Sequence, residues 1–346
     1  MFSRVPDLDE HALLSAAKAG DERAFDRLVE PYRGELQAHC YRMLGSLHDA
    51  EDALQDALLN AWRGLAGFEA RSSLRSWLYT VATNACLSAI RKRRRRVLPI
   101  DLGPPADPND APPEPLLEPL WVEPYPDEAL GLRDGFAAPD ARYEQRESVE
   151  LAFVAALQHL PAHQRAVLIL REVLGFSAAE VGDALELTVS AVNSHMQRAR
   201  KAVEQSLPEQ SQQATLRSLG DDEIRRIVEG YVDAWERADV PAVVSMLAED
   251  AAMAMPPMPL WFSGRAAIEA FISGGPLSGE IRWRHVPTRA NGQLAIGCYE
   301  WQEDKGAYLP SVLDVLTLRG TEIAAITAFV DDAIFARFGL PSMVAG

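Results

Sequence analysis

The residues of this chain that could do chemistry fall into four groups. The stretch LGFSAAEVGDALELTVSAVNSHMQRARKAV, Leu174–Val203, carries Ser190, Asn193, Ser194, Gln197, Arg198 and Lys201 on one side of a helix. Val192, Met196, Ala199 and Val203 lie on the other. Short polar side chains suit base edges and basic ones suit phosphates, the set a helix needs in a DNA major groove. A second stretch, RSSLRSWLYTVATNACLSAIRKRRRR, ends in the basic run Arg91–Arg96. Third, Asp49, Glu51, Asp52, Gln55 and Asp56 form the polar side of SLHDAEDALQDALLNAWRGL, either a solvated face or a docking face for a basic partner. Fourth are His285, the only histidine after residue 207, and Asp314, in the middle of an expected inner strand. Such a pair could move a proton within hydrogen-bond reach of a substrate. Alone it does not make a catalytic site, so no catalytic residue is assigned and His285 is expected to be structural. Met255, Met258, Trp261, Trp283 and Trp301 are the apolar candidates for the same pocket. They are expected either to bind a hydrophobic ligand or to fill the space themselves.

Elements that could position these groups follow from periodicity. Ser177 and Glu180 make an S-x-x-E capping box for a first helix with Val181, Ala184 and Leu185 inward, Leu187 sits in the turn, and a second helix starts near Ser190. That is a helix-turn-helix. In DERAFDRLVEPYRGELQAHCYRML, Phe25, Leu28, Val29, Tyr32, Leu36, Cys40 and Met43 recur every three or four residues, with a bend at Pro31. Ser72 or Ser73 would cap a helix from Leu74. Its core arc is expected to be Leu74, Leu78, Val81, Ala82, Ala85 and Ala89, and its open arc Ser76, Thr80, Thr83, Asn84, Leu87 and Arg91. Trp77 and Tyr79 could stack an unpaired base or belong to the core.

Charge marks the boundaries. The chain carries a net charge of −16, yet residues 1–98 hold 15 basic against 13 acidic residues, while residues 99–140 hold 1 against 10. Residues 208–346 hold 11 against 19. The proline-rich, acidic 99–143 segment reads as an extended linker between helical domains at 10–98 and 144–207. A shorter break, LPEQSQQATLRSLGDD, leads to a last domain at 220–340. There, helix, turn, helix and strand precede the helix GRAAIEAFI and four strands that read as antiparallel, which suggests an α+β cone wrapped round a pocket. The fold class is therefore multidomain, two all-α domains and an α+β cone. No run approaches the ~18 apolar residues of a membrane span. Cys40, Cys86 and Cys298 lie far apart without metal-ligand spacing, so they read as reduced thiols of a cytoplasmic protein, with neither metal nor cofactor.

With these motifs in order, the sequence resembles an extracytoplasmic-function sigma factor of the sigma-70 family. FDRLVEPYRGELQAHCYRMLGSLHDAEDALQDALLNAW and LRSWLYTVATNACLSAIRKRRRR match its region 2, and LQHLPAHQRAVLILREVLGFSAAEVGDALELTVSAVNSHMQRARKAV matches its region 4. The resemblance implies core RNA polymerase and promoter DNA as partners, and no enzyme activity. It implies polymerase docking through Asp49, Glu51, Asp52, Gln55 and Asp56. For the −10 element it implies Arg71, Ser72, Ser73, Arg75, Trp77, Thr80, Asn84 and Arg91, and for the −35 element Ser190, Asn193, Ser194, Gln197, Arg198 and Lys201. Asn193 and His195 stand where the family usually has basic residues, which implies weaker phosphate attraction and an unusual −35 sequence. The acidic linker takes the place of the connector that threads through the polymerase. The last domain resembles the SnoaL-like fold through YVDAWERAD, MPPMPLWFSG and FVDDAIFARFGLP, and is expected to be regulatory; Met255, Met258, Trp261, Trp283, His285, Trp301 and Asp314 are its pocket candidates, to hold a small-molecule ligand or to fill the space themselves. The competing reading is a small-molecule cyclase or isomerase fused to a DNA-binding module.

Overall fold

Side-chain oxygens start most of the N-terminal helices. Asp21 accepts the N–H groups of Arg23 and Ala24 at 2.9 and 3.1 Å, Ser46 accepts that of Asp49 at 3.1 Å, and Ser73 that of Ser76 at 3.1 Å. In the computed structural model, which describes residues 7–70, 72–111, 113–116, 121–130, 147–208 and 210–346, these caps open three of five helices: α1 (Asp7–Lys18), α2 (Glu22–Val29), α3 (Arg33–Leu44), α4 (Leu47–Gly64) and α5 (Leu74–Lys92). A 3-10 turn at Glu30–Tyr32 containing Pro31 supplies the expected bend between α2 and α3.

The buried face of α5 is wider than its periodicity suggests. Tyr79, Thr83, Cys86 and Leu87 are buried with Leu74, Leu78 and Ala82, whereas Val81, Ala85 and Ala89 are half-buried. Thr83 and Leu87 thus leave the expected open arc. Thr83 tolerates burial because its hydroxyl donates to the Tyr79 carbonyl at 2.7 Å and lies 2.9 Å from His39 Nε2. Burial holds His39 neutral, with its pKa lowered to about 3.

The second helical segment runs through α6 (Leu151–Gln158), α7 (Ala162–Leu168) with a π-turn at Ile169–Val173, α8 (Ala178–Leu185) and α9 (Val189–Glu204). Both halves of the Ser177–Glu180 capping box form, at 2.8 and 3.2 Å. The turn between α8 and α9 requires Gly182: a Cβ there would meet the Leu187 carbonyl oxygen at 2.7 Å. Thr188, not singled out in the sequence, caps α9 through the Ala191 N–H at 3.2 Å. One compact unit comprises Met1–Arg95 with Ala156–Gln205. Inside it, the buried Arg165 guanidinium donates to the Met43 carbonyl, to Gln158 and to the Leu160 carbonyl. Gln158 in turn donates to the Arg42 carbonyl at 3.2 Å, which joins α3 to the second segment.

The other unit comprises Arg96–Ala155 with Ser206–Gly346. Here the expected break contains a helix, α10 (Gln212–Leu219), which is a correction to the sequence reading. Buried Gln212 and Gln213 explain it, for their side chains donate to the carbonyls of Leu318 and Gly292 at 2.7 and 2.6 Å. Next come α11 (Asp221–Glu236), α12 (Val240–Ser245), β1 (Leu247–Ala254), β2 (Trp261–Ser263) and α13 (Arg265–Gly274). The strands β3 (Trp283–Ala290), β4 (Gln293–Gln302), β5 (Ala307–Arg319) and β6 (Glu322–Phe329) form the expected antiparallel meander, and short β7 (Val344–Ala345) pairs with β5. The sheet order is β2-β1-β6-β5-β4-β3, with β1 parallel to β6. Ile224, Ile227, Tyr231 and Trp235 of α11 share one buried core with Ile296, Leu316 and Ile326 of the sheet.

Candidate nucleic-acid interface

Inward-facing Val192, Ala199 and Val203 set the rotation of α9, so that Ser190, Asn193, Ser194, Gln197, Arg198 and Lys201 are all exposed on one side. Arg200 donates from Nε to Glu172 at 2.7 Å and ties the helix to the π-turn rather than joining that row. His195 lies with Nδ1 3.4 Å from Arg198 Nη2. Burial, then Arg198 and His163, lowers its pKa, which disfavours a positive charge at this position. The row therefore offers two cations, Arg198 and Lys201, among hydrogen-bonding side chains.

On α5 the expected row is split. Ser72, Ser73, Asn84 and Arg91 are exposed, whereas Arg75, Ser76, Trp77 and Thr80 are half-buried. Arg71 lies outside the described residues. Trp77 packs its ring on Phe68, centroids 5.1 Å apart. The basic run is not a uniform patch either. Arg93 pairs with Asp49 and lies 3.8 Å from Asp52, and buried Arg96 donates to the Trp121 carbonyl at 2.7 Å and to Glu123 at 3.1 Å.

Of the acidic set on α4, Glu51, Asp52, Gln55 and Asp56 are exposed together. Asp49 is not with them: at 4% exposure, it is held under Arg93. A capped first turn points this side chain back toward the end of α5, which periodicity alone does not reveal.

In the cone, His285, Trp283 and Asp314 are brought together with Tyr231, Trp235 and Cys298, none of which was singled out for this site. Tyr231 donates to Asp314 at 2.8 Å, and the Cys298 thiol lies 3.4 Å from the same oxygen. Burial raises the Asp314 pKa. The His285 ring is fully buried between Trp235 and Trp283, and its Nδ1 stops 3.8 Å from Glu236. Met255 and Met258 pack at the edge of this core. Trp261 and Trp301 do not join it: Trp261 donates to the Gly103 carbonyl at 2.9 Å, and Trp301 meets Tyr308 edge to face with Arg282 over its ring. Among the described residues, no group of three or more His, Cys, Asp or Glu side chains could hold a metal ion, and no helix is long and apolar enough to cross a membrane.

The linker has a binding place that the sequence does not announce. The β3–β4 turn puts Asn291 at φ 57°, and its side chain accepts the Tyr125 N–H at 2.8 Å while donating to the Val149 carbonyl at 2.7 Å. Next to it, the Gly292 N–H donates to Asp127 at 2.7 Å and Gln293 accepts the Leu151 N–H at 2.9 Å. Farther back, the Ala106 N–H reaches the Trp261 carbonyl at 2.8 Å.

Residues 28–96 match Sigma-70 region 2, residues 150–203 match Sigma-70 region 4, and residues 228–326 match a SnoaL-like domain. The chain is 42% identical over 342 residues to the ECF RNA polymerase sigma factor SigG of Mycobacterium tuberculosis, covering 98% of this chain and 90% of that relative. It is 28% identical to the ECF RNA polymerase sigma factor SigW of Bacillus subtilis, over 56% of this chain and 94% of SigW. A crystal structure of the M. tuberculosis extracytoplasmic function sigma factor SigJ shares the fold, with a TM-score of 0.56 at 22% identity over 91% of this chain and 98% of SigJ. Two sigma regions in order, a SnoaL-like domain after them and near full-length identity to SigG together show that the chain belongs to the extracytoplasmic-function RNA polymerase sigma factors.

Proposed function

We propose that α9 reads the −35 element through Ser190, Asn193, Ser194, Gln197, Arg198 and Lys201, and that α5 and the loop before it serve the −10 element. As a sigma factor, the chain is a transcription initiation factor and not an enzyme, working with core RNA polymerase and promoter DNA. Its place of action is the cytoplasm. The observation that carries the reading is the exposed, mixed polar and basic row of α9 behind a fully capped helix-turn-helix. Glu51, Asp52, Gln55 and Asp56 offer core polymerase the acidic face.

The C-terminal domain modulates this activity by holding the linker between the two sigma regions. Asn291 bonds residues on both sides of 131–146, so release of the linker costs buried hydrogen bonds. A small-molecule ligand in the cone would have the His285 ring nitrogens and the Trp235 N–H as its buried polar contacts.

Run-off transcription with bacterial core polymerase on a randomised promoter library tests the reading. Enrichment of templates sharing two separated elements is the expected result; uniform template use would refute it. Removing residues 208–346 should alter, and by our reading raise, transcription from the selected promoters without abolishing polymerase binding.

A further inference from the structure

The outward row of α9 consists of donors, acceptors and cations. Ser190, Asn193, Ser194, Gln197, Arg198 and Lys201 suit the polar edges of bases and the phosphates, but none of them ends in an apolar group. The 5-methyl group of thymine makes no hydrogen bond and is read in the major groove by apolar contact. That part of the base pattern is beyond the row as it stands.

Val189 supplies the missing group. It is the first residue of α9 and is 49% exposed. Single exposed apolar side chains are ordinary on protein surfaces. Leu59, Ile100, Leu102, Leu116 and Met343 are the others of this size among the described residues, and none of those lies in the helix-turn-helix. The fold itself does not call for valine here. A β-branched residue is a poorer helix former than alanine, lysine or glutamate, and an acidic residue at this end would gain from the helix dipole. The first turn of α9 nevertheless carries no acidic residue, as suits a surface that approaches phosphates.

The position of Val189 is fixed from both sides. Thr188 caps the helix, its hydroxyl accepting the Ala191 N–H at 3.2 Å, and fully buried Val192 anchors the same turn. Asn193 lies one turn further on, and residues four apart are neighbours on a helix surface, ~5–6 Å between Cβ atoms. With ~3.4 Å between successive bases, the base met by Val189 falls within about two steps of the base met by Asn193. The N-terminal residues of a recognition helix are those that contact base edges. A helical valine has essentially one χ1 rotamer, so covering it costs little side-chain freedom.

We propose that Val189 is a specificity-determining residue of this sigma factor, its side chain packing on the 5-methyl group of a thymine in the −35 element. The inference rests on the reading of that element by α9, and adds to it a preference for thymine that the polar row does not provide.

The test uses the full chain with core polymerase on a promoter taken from the library selection. Each thymine of the −35 element, on either strand, is replaced in turn by deoxyuridine, which deletes the methyl group and keeps the base pairing. One replacement should weaken holoenzyme binding about fourfold, the value of one buried methyl group. Val189→Ser should bind the thymine and deoxyuridine promoters alike at that position, while Val189→Ile should keep the difference. The salt dependence of Val189→Ser should match the parent protein, because no phosphate contact is lost. Its thermal melt should match as well, because the side chain is exposed. A −35 element without thymine, indifference of the parent holoenzyme to every replacement, or the same fourfold loss in Val189→Ser would each overturn the contact. Arg198→Ala, measured alongside, separates this inference from the reading of α9. A changed −35 preference in Arg198→Ala with none in Val189→Ser sinks the valine contact alone. If Arg198→Ala and Lys201→Ala both leave promoter binding as it was, the assignment of α9 falls and the contact falls with it.

Discussion

Asn291 Oδ1 accepts the backbone N–H of Tyr125 at 2.8 Å, across 166 positions of sequence, and both residues are fully buried. The same amide holds the Val149 carbonyl, so one side chain fastens the chain on both sides of residues 131–146. Asn291→Gly keeps the left-handed backbone and removes both bonds. It should destabilise the C-terminal unit by about 2–3 kcal/mol. Urea unfolding would measure this loss, and faster hydrogen exchange at the Tyr125 amide would locate it. Unchanged exchange at Tyr125 would contradict linker capture.

Asp49 and its acidic neighbours should separate in function. Asp49→Asn leaves Arg93 with Asp52 as its carboxylate partner and is expected to lower stability by about 1 kcal/mol, because Arg93 is half-exposed. Its effect on polymerase affinity should be small. Asp56→Arg, on the exposed face, should instead weaken polymerase binding about tenfold, equivalent to ~1.4 kcal/mol. Titration of labelled protein with core polymerase distinguishes the two.

On α9, a base contact by Arg198 is worth ~1–3 kcal/mol. Arg198→Ala should relax preference at a particular −35 position in the selected library. Lys201→Ala should weaken binding to all sequences and flatten the salt dependence, as loss of a phosphate contact does. Both variants are read by duplex binding across a salt series.

Glu150 makes stability depend on pH. Burial raises its pKa from 4.5 to about 7, although its carboxylate accepts the Gln212 and Gln213 N–H groups at the start of α10. A folded-state value above the unfolded one means that the folded protein holds the proton more tightly. This contribution is complete below about pH 4.5 and is lost as pH rises through about 7. Thermal melts at pH 6 and pH 8 should therefore show a downward shift in Tm with rising pH that Glu150→Gln reduces. An equal shift in both proteins would exclude Glu150 as its source.

What could be read from the sequence was local. The capping box of Ser177 and Glu180, the bend at Pro31 and the apolar stripes of α2 and α9 arise from neighbours within one or two helical turns. Their signals therefore survive without knowledge of the fold. The apolar and β-branched content of the C-terminal strands, with helices before the first strand and between it and the rest, was sufficient for an α+β cone, and the order of motifs for a sigma factor.

Tertiary structure decided which polar side chains face water. Thr83 is inside because His39, forty-four positions away, lies against its hydroxyl, and Asp49 is inside because Arg93 covers it. Gln212 and Gln213 turn an apparent linker into α10 by finding carbonyls on β5 and in the β3–β4 turn. A buried polar group is stable only with its partner in place. When that partner is distant in sequence, only the folded chain shows that the two meet.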